Sequence, residues 1–208
     1  MTRTAALLAS AAVVVGLAIG ATLALRGTSG DPFADCREGV VAGGQAAIGG
    51  PFALTAPDGR RVTEAEAITG PTLVYFGYGF CPDFCPTDLA RNAVAADLLA
   101  ERGLEVGQVF ISIDPARDTP EAVGAFAEAI HPDLLGLTGT PAEVDAAAKA
   151  YKVYYRKAGD DPEFYLMDHS TFTYLMAPGT GFLEVYRSDA TPEAMADSVA
   201  CFAAALPD

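Results

Sequence analysis

The apolar positions fall into distinct patterns along the chain, and each pattern predicts its own kind of element. From Thr4 to Leu25 the chain is an uncharged run of mostly Ala, Val, Leu, Ile and Gly between Arg3 and Arg26. A helix rising about 1.5 Å per residue would make that run roughly 33 Å long, which matches the ~30 Å core of a bilayer. A cleaved signal peptide carries an apolar stretch of only about 7–15 residues, so the length favours a retained anchor over a signal peptide. The amino terminus and Arg3 favour a cytoplasmic N-terminus, and Arg26 on the far side weakens that bias.

Shorter apolar runs follow. Thr72 to Tyr78 is continuous and rich in strand formers, which predicts a central strand buried on both faces. Further strands are predicted over Val109–Ile113, Leu134–Leu137, Val153–Tyr155, Thr171–Met176 and Phe182–Tyr186, the last two joined by a turn at Pro178–Gly181. Phe52 to Thr63, around Pro57-Asp58-Gly59, predicts a hairpin at the entrance of the domain. Helical spacing marks the segments between: Leu89, Val94, Leu98 and Leu99 give Pro86–Arg102 an apolar stripe, closed by Gly103. Helices over Pro120–Ile130, Pro141–Tyr151 and from Pro192 onward each start Thr-Pro, with Thr119, Thr140 and Thr191 as N-caps and proline at the first helical position. Thr140 and Glu143 also form a capping box. Strand and helix alternate up to Tyr151, before a terminal hairpin and helix. That order predicts an α/β domain with helices on both faces of a mixed sheet. The expected organisation is an N-terminal transmembrane anchor over 1–26, a linker and N-terminal arm over 27–47, and one folded domain over 48–208.

The formal net charge of −14 makes nucleic acid an improbable partner. Such acidity serves solubility, or selects a basic partner and attracts cations. No Arg- and Ser-rich transit segment precedes the anchor, so the expected location is a bacterial inner membrane with the C-terminal domain in the periplasm. All four cysteines lie beyond the anchor, in what is then an oxidising compartment. Four cysteines allow three pairings. Cys81 and Cys85 are close enough in sequence to act as a functional unit, which leaves Cys36 and Cys201 as a candidate structural staple or as two unpaired buried cysteines.

The segment from Phe80 to Pro86 follows the central strand and opens a helix, where ligand sites form in α/β sheets and where the positive helix end favours thiolates. Pro86 suits the first helical position, which makes Cys85 the N-cap and 81–84 a turn leading in. Helical geometry extended back to Cys81 would set the two α-carbons about 6 Å apart, within reach of a disulfide. The pair can therefore close a redox-active disulfide or, when reduced, pinch a soft ion. Its C-x-x-x-C spacing departs from the C-x-x-C of a dedicated redox motif, and a structural zinc site would want four protein ligands. Two thiolates and one imidazole suit copper, with Cu(I) favoured by the soft sulfurs and Cu(II) as the second state.

Only two histidines compete for the imidazole role. His131 precedes Pro132 at a helix end, where a cationic ring complements the dipole. His169 stands just before a strongly apolar strand, as a hydrogen-bonded, partly buried histidine or as the third ligand. Asp114 and Asp118 read as an Asp-Pro turn and a polar helix entry, or as docking residues on the same rim as the cysteines. Strand alternation places Met176 in the core, and Met167 is a candidate weak extra ligand. Tyr151, Tyr154, Tyr155 and Tyr165 read as packing and rim.

Taken together, these residues resemble the SCO/SenC family of copper-binding proteins. Gly77–Pro86 looks like the family's C-x-x-x-C-P motif, and Ser112–Pro120 is similar to its D-P-x-R-D-T-P segment. Gly136–Gly139 and Asp168-His169-Ser170 are similar to further family segments, so the resemblance covers about residues 48–206 together with the anchor. One departure is Gly79, which stands where a small hydroxyl residue is expected. The resemblance implies a thioredoxin-like three-layer fold. In such domains the loop before the strand at Thr171 faces the cysteine pair and carries a cis-proline, and His169 stands about where that proline would be. The implied function is that of a metallochaperone rather than an enzyme. It would take copper from a periplasmic donor, depend on a thiol reductant, and deliver copper to, or mature, the CuA centre of a cytochrome c oxidase subunit. The alternatives are a thiol-disulfide reductase that keeps the target cysteines reduced, and a copper or redox sensor.

Overall fold

The computed structural model describes residues 31–37, 48–161 and 164–207. The candidate anchor at 4–25 and most of the 27–47 arm lie outside the described residues, and among those described no helix is long and apolar enough to cross a membrane. The chain divides into two compact units, Met1–Asp35 and Cys36–Asp208. In the first, Asp31 caps a short turn by accepting the Phe33 N–H at 3.0 Å.

Strands β1 (Ala53–Thr55) and β2 (Arg61–Thr63) form the entrance hairpin, followed by the single-turn helix α1 (Glu64–Ala67). Then come β3 (Thr72–Gly77), α2 (Phe84–Glu101), β4 (Gly107–Ser112), α3 (Pro120–Ile130), β5 (Leu134–Leu137) and α4 (Pro141–Ala150). The C-terminal part holds β6 (Tyr155–Ala158), β7 (Leu166–His169), β8 (Thr173–Ala177), β9 (Gly181–Tyr186) and α5 (Pro192–Ala205). The main sheet runs β5-β4-β3-β8-β9, parallel across β3, β4 and β5 and antiparallel at β8 and β9.

Neighbouring residues on one strand face opposite sides of a sheet, and their partners show what covers each side. Tyr75 and Thr173 meet Asp88 and Asn92 of α2, whereas Phe76 and Tyr174 pack on the Tyr151 ring at the end of α4, with centroids 5.1 and 5.7 Å apart. Phe110 is the register partner of Tyr75, so the Phe126 ring of α3 packs on the α2 side. Helices therefore cover both faces of a mixed sheet, in three layers. The Thr-Pro starts cap as their chemistry demands: Thr119, Thr140 and Thr191 accept the N–H groups of Ala122, Glu143 and Ala194 at 3.2, 3.4 and 3.2 Å.

Several sequence-based expectations need correction. The helix after the cysteine motif starts at Phe84 with Asp83 as its N-cap, so Cys85 lies in the first turn and not at the cap. The first N–H groups of a helix have no intrahelical acceptor, so proline fits any of those positions and Pro86 does not fix the start. Val94 is exposed, and the inner face of α2 is made instead by Leu89, Leu99, several alanines and the buried polar group Asp88, Arg91 and Asn92. The strand expected at Val153–Tyr155 begins only at Tyr155. It pairs with β7 in a separate two-stranded ribbon, for which the sequence reading held no second strand.

A disulfide joins Cys36 to Cys201 on α5, with a Cα–Cα distance of 5.6 Å across a sequence separation of 165. Beside it the Arg37 guanidinium donates to the Leu183 carbonyl of β9 and lies over the Phe202 ring.

Candidate metal centre

Central strand β3 delivers the chain to the cysteine turn, and α2 turns the pair back over the sheet. Cys85 is fully buried at 0% exposure, and Gly77 leaves the room it needs, since a Cβ there would come 2.7 Å from the Cys85 Sγ. Cys81 is half-buried and both thiols are free. Because Cys85 lies in the first turn of α2, its own N–H is among the unsatisfied donors, and it points at the Cys81 Sγ at 3.4 Å. His169 comes from the ribbon. Register partners Tyr155 and His169 at its end, and an Arg156–Asp168 ion pair of 2.8 Å across it, set the ring over the cysteines.

The ligand atoms of Cys81, Cys85 and His169 lie within 4.8 Å of one another, and the His169 Nε2 is 3.4 Å from the Cys85 Sγ. The other ring nitrogen, Nδ1, lies 2.8 Å from the Ser170 carbonyl oxygen. A carbonyl only accepts, so Nδ1 carries the proton and the Nε2 lone pair faces the sulfurs, the tautomer a ligand needs. Ser170 is itself fixed by the Tyr154 backbone, donating its N–H to the Tyr154 carbonyl and accepting the Tyr154 N–H on its hydroxyl, at 2.9 and 3.1 Å. Tyr75 and Tyr78 set their rings edge-on to the imidazole, centroids 6.3 and 5.9 Å away. The Tyr75 hydroxyl donates to Asp88, which also holds Arg91 and Ser188.

This geometry divides one proton unequally. A hydrogen bond from the Cys85 thiol pulls the Cys81 thiol far below its ordinary range, helped by the backbone N–H groups of Asp83 and Cys85. Sharing with Cys81, followed by burial, pushes the Cys85 thiol up. A thiolate at the mouth, a protonated thiol behind it and an imidazole nitrogen aimed at both are a soft, nearly assembled donor set, and filling it releases the Cys85 proton. An alkylation assay follows from this. Iodoacetamide at pH 6, where an ordinary thiol hardly reacts, should label Cys81 and spare Cys85 in the native protein; equal labelling would contradict the division.

Asp114 and Asp118, considered as docking residues, are 4% and 2% exposed. Asp114 accepts from the Arg117 Nε at 2.5 Å and the Tyr165 hydroxyl at 2.7 Å. Asp118 accepts from the Ser112 hydroxyl at 2.5 Å and the Gly79 N–H at 2.9 Å, with burial raising its pKa. Both carboxylates are buried among internal donors, and through them they brace the cysteine turn. Gly79 belongs to that brace through its N–H, and a Cβ there would lie 2.9 Å from Asp118 Oδ1. Arg117 clamps turn to ribbon, its guanidinium 3.5 Å from the Tyr165 ring centroid and 4.8 Å from that of Phe80. Sequence reasoning missed Arg117, Tyr75, Tyr78 and Ser170 as supports. His131 lies apart from the centre, hydrogen-bonded to Gln108 and Asp97.

A family model described as SCO1/SenC matches residues 41–204. Protein SenC of Rhodobacter capsulatus is 54% identical over 206 residues, covering 98% of this chain and 92% of that protein. The human mitochondrial Protein SCO1 homolog is 38% identical over 160 residues, and the chain spans about half of its length, 53%. Among solved structures, Arabidopsis thaliana ScoI with copper bound matches at a TM-score of 0.71 and 42% identity, over 75% of this chain and 98% of that one. Yeast Sco1 with copper bound matches at 0.69 and 34%, over 74% and 87%. The mixed sheet and its covering helices are the thioredoxin-like fold of those structures.

Proposed function

Because the chain belongs to the SCO1/SenC family, we propose that it is a membrane-anchored periplasmic copper chaperone that matures the CuA centre of cytochrome c oxidase. One observation carries this reading: two cysteine sulfurs and a correctly tautomerised histidine nitrogen converge within 4.8 Å at a half-open site. Two relatives with 42% and 34% identity carry copper in their solved structures, and the donor set here, S, S and N, suits Cu(I) as cargo. The apolar run at 4–25 supplies the anchor, and the Cys36–Cys201 disulfide suits an oxidising compartment. Delivery proceeds by ligand exchange. An incoming thiolate, imidazole or thioether meets the half-exposed Cys81 first, while the buried Cys85 lets go later.

A second reading, a thiol-disulfide reductase acting on the target's cysteines, is favoured by the depressed pKa of Cys81. A transfer experiment separates the two. Copper-loaded protein is mixed with a metal-free CuA domain whose cysteines are already reduced. Copper should move to the acceptor with no change in thiol count. Copper staying behind, while the protein reduces a disulfide form of the same domain, would favour the reductase.

A further inference from the structure

Ribbon strand β7 has a clear inside and outside. Leu166 and Asp168 are exposed, whereas Tyr165, Met167 and His169 alternate onto the inner face. Tyr165 at one end of that face meets Arg117 and Asp114, and His169 at the other meets Cys85. Met167 lies between them, about 6.6 Å from His169 along the strand at ~3.3 Å per residue. Tyr78, which lines the same cleft, flanks the imidazole. The side chain is only half-buried, and with Cys81, His169, Tyr78 and Phe84 it lines an open cleft of about 400 Å³. Met167 packs against the core on one side and borders the cleft beside Cys81 and His169 on the other.

We propose that the Met167 thioether is a fourth, weak donor to copper held by Cys81, Cys85 and His169, and that it biases the site toward Cu(I). This rests on the copper-binding reading above. Thioether sulfur is soft, neutral and carried on a flexible chain. It therefore stabilises the soft monovalent ion without adding charge, and it favours Cu(I) over the harder Cu(II). It also gives arriving copper a first contact that costs no deprotonation.

The chain's methionine content makes the test selective. Of its four methionines, Met176 and Met195 are 1% and 0% exposed in the core, and Met1 is remote in sequence. Selenomethionine-labelled full-length protein is reduced, loaded with one equivalent of Cu(I) and measured by copper-edge X-ray absorption, beside the same preparation of Met167→Leu. Leucine nearly conserves volume, so the fold is retained. A copper–selenium scattering path that disappears in Met167→Leu is expected. With it should come a loss of Cu(I) affinity of roughly tenfold, the scale on which substitutions around a metal act, and a larger share of Cu(II) at a fixed potential. Sulfur and nitrogen shells with no selenium path in the labelled protein would overturn the role of Met167 and leave the three-ligand site standing. No sulfur shell at all would overturn both.

Discussion

Replacing His169 with Ala should cut the Cu(I) affinity of the reduced protein by several orders of magnitude, yet leave most of its dithiol exchange in place. The imidazole is the only nitrogen donor in the cluster, and the Ser170 carbonyl has already set its tautomer, so a truncated side chain leaves two sulfurs with an open coordination position. The thiol chemistry does not depend on it in the same way. The first cause of the low Cys81 pKa is the Cys85 hydrogen bond, so thiolate persists in the variant and exchange slows only modestly. Titration against a chromogenic Cu(I) chelator gives the affinity, and reduction of a model disulfide gives the exchange rate. Near-native copper affinity in the variant would shift the function toward the reductase. The Cys81→Ser and Cys85→Ser variants cannot make this distinction, because both activities need both sulfurs.

The double variant Cys36→Ser/Cys201→Ser should lose roughly 4–5 kcal/mol of stability, the chain-entropy value for so long a closed loop. The bond ties the entry of the chain to α5 over a separation of 165 residues, and Arg37 beside it depends on that tether to reach Leu183 and Phe202. None of Cys81, Cys85 and His169 lies on the tethered segment or on α5, so copper binding at low temperature should survive. Urea unfolding of oxidised protein and double variant measures the loss. A non-reducing digest that recovers the Cys36 and Cys201 peptides unlinked, or a stability difference near zero, would contradict the staple.

Much of this molecule is legible in its sequence because the local chemistry is strong. Threonine followed by proline marks three helix starts to the residue, and the unbroken apolar run at Thr72–Gly77 can only be a strand covered on both sides. Cysteine spacing and the scarcity of histidine narrow the metal site to three residues, which the fold then brings together. What escaped was tertiary. Asp114 and Asp118 carry surface-type charges in a polar, turn-rich segment, and nothing local reveals that Arg117, Tyr165, Ser112 and Gly79 bury and satisfy them. The ribbon strand β7 was read as loop because only its alternation, with Leu166 and Asp168 out and Met167 and His169 in, marks it. Four residues of alternation are weak until a partner strand is known. Helix α2 starts two residues before Pro86, because proline fits any position of the first turn. Its inner face is built from alanines and a satisfied polar cluster, so apolar periodicity placed Val94 on the wrong side.

X-ray absorption at the copper edge, on anaerobically reduced protein loaded to saturation and assayed for metal content, bears most directly on the copper centre. One copper per chain with sulfur from two cysteines and nitrogen from one imidazole in the first shell should be found, and oxidation to the Cys81–Cys85 disulfide should release the metal. A shell of oxygen and nitrogen donors alone, or copper retained after that oxidation, would contradict a centre built on Cys81, Cys85 and His169.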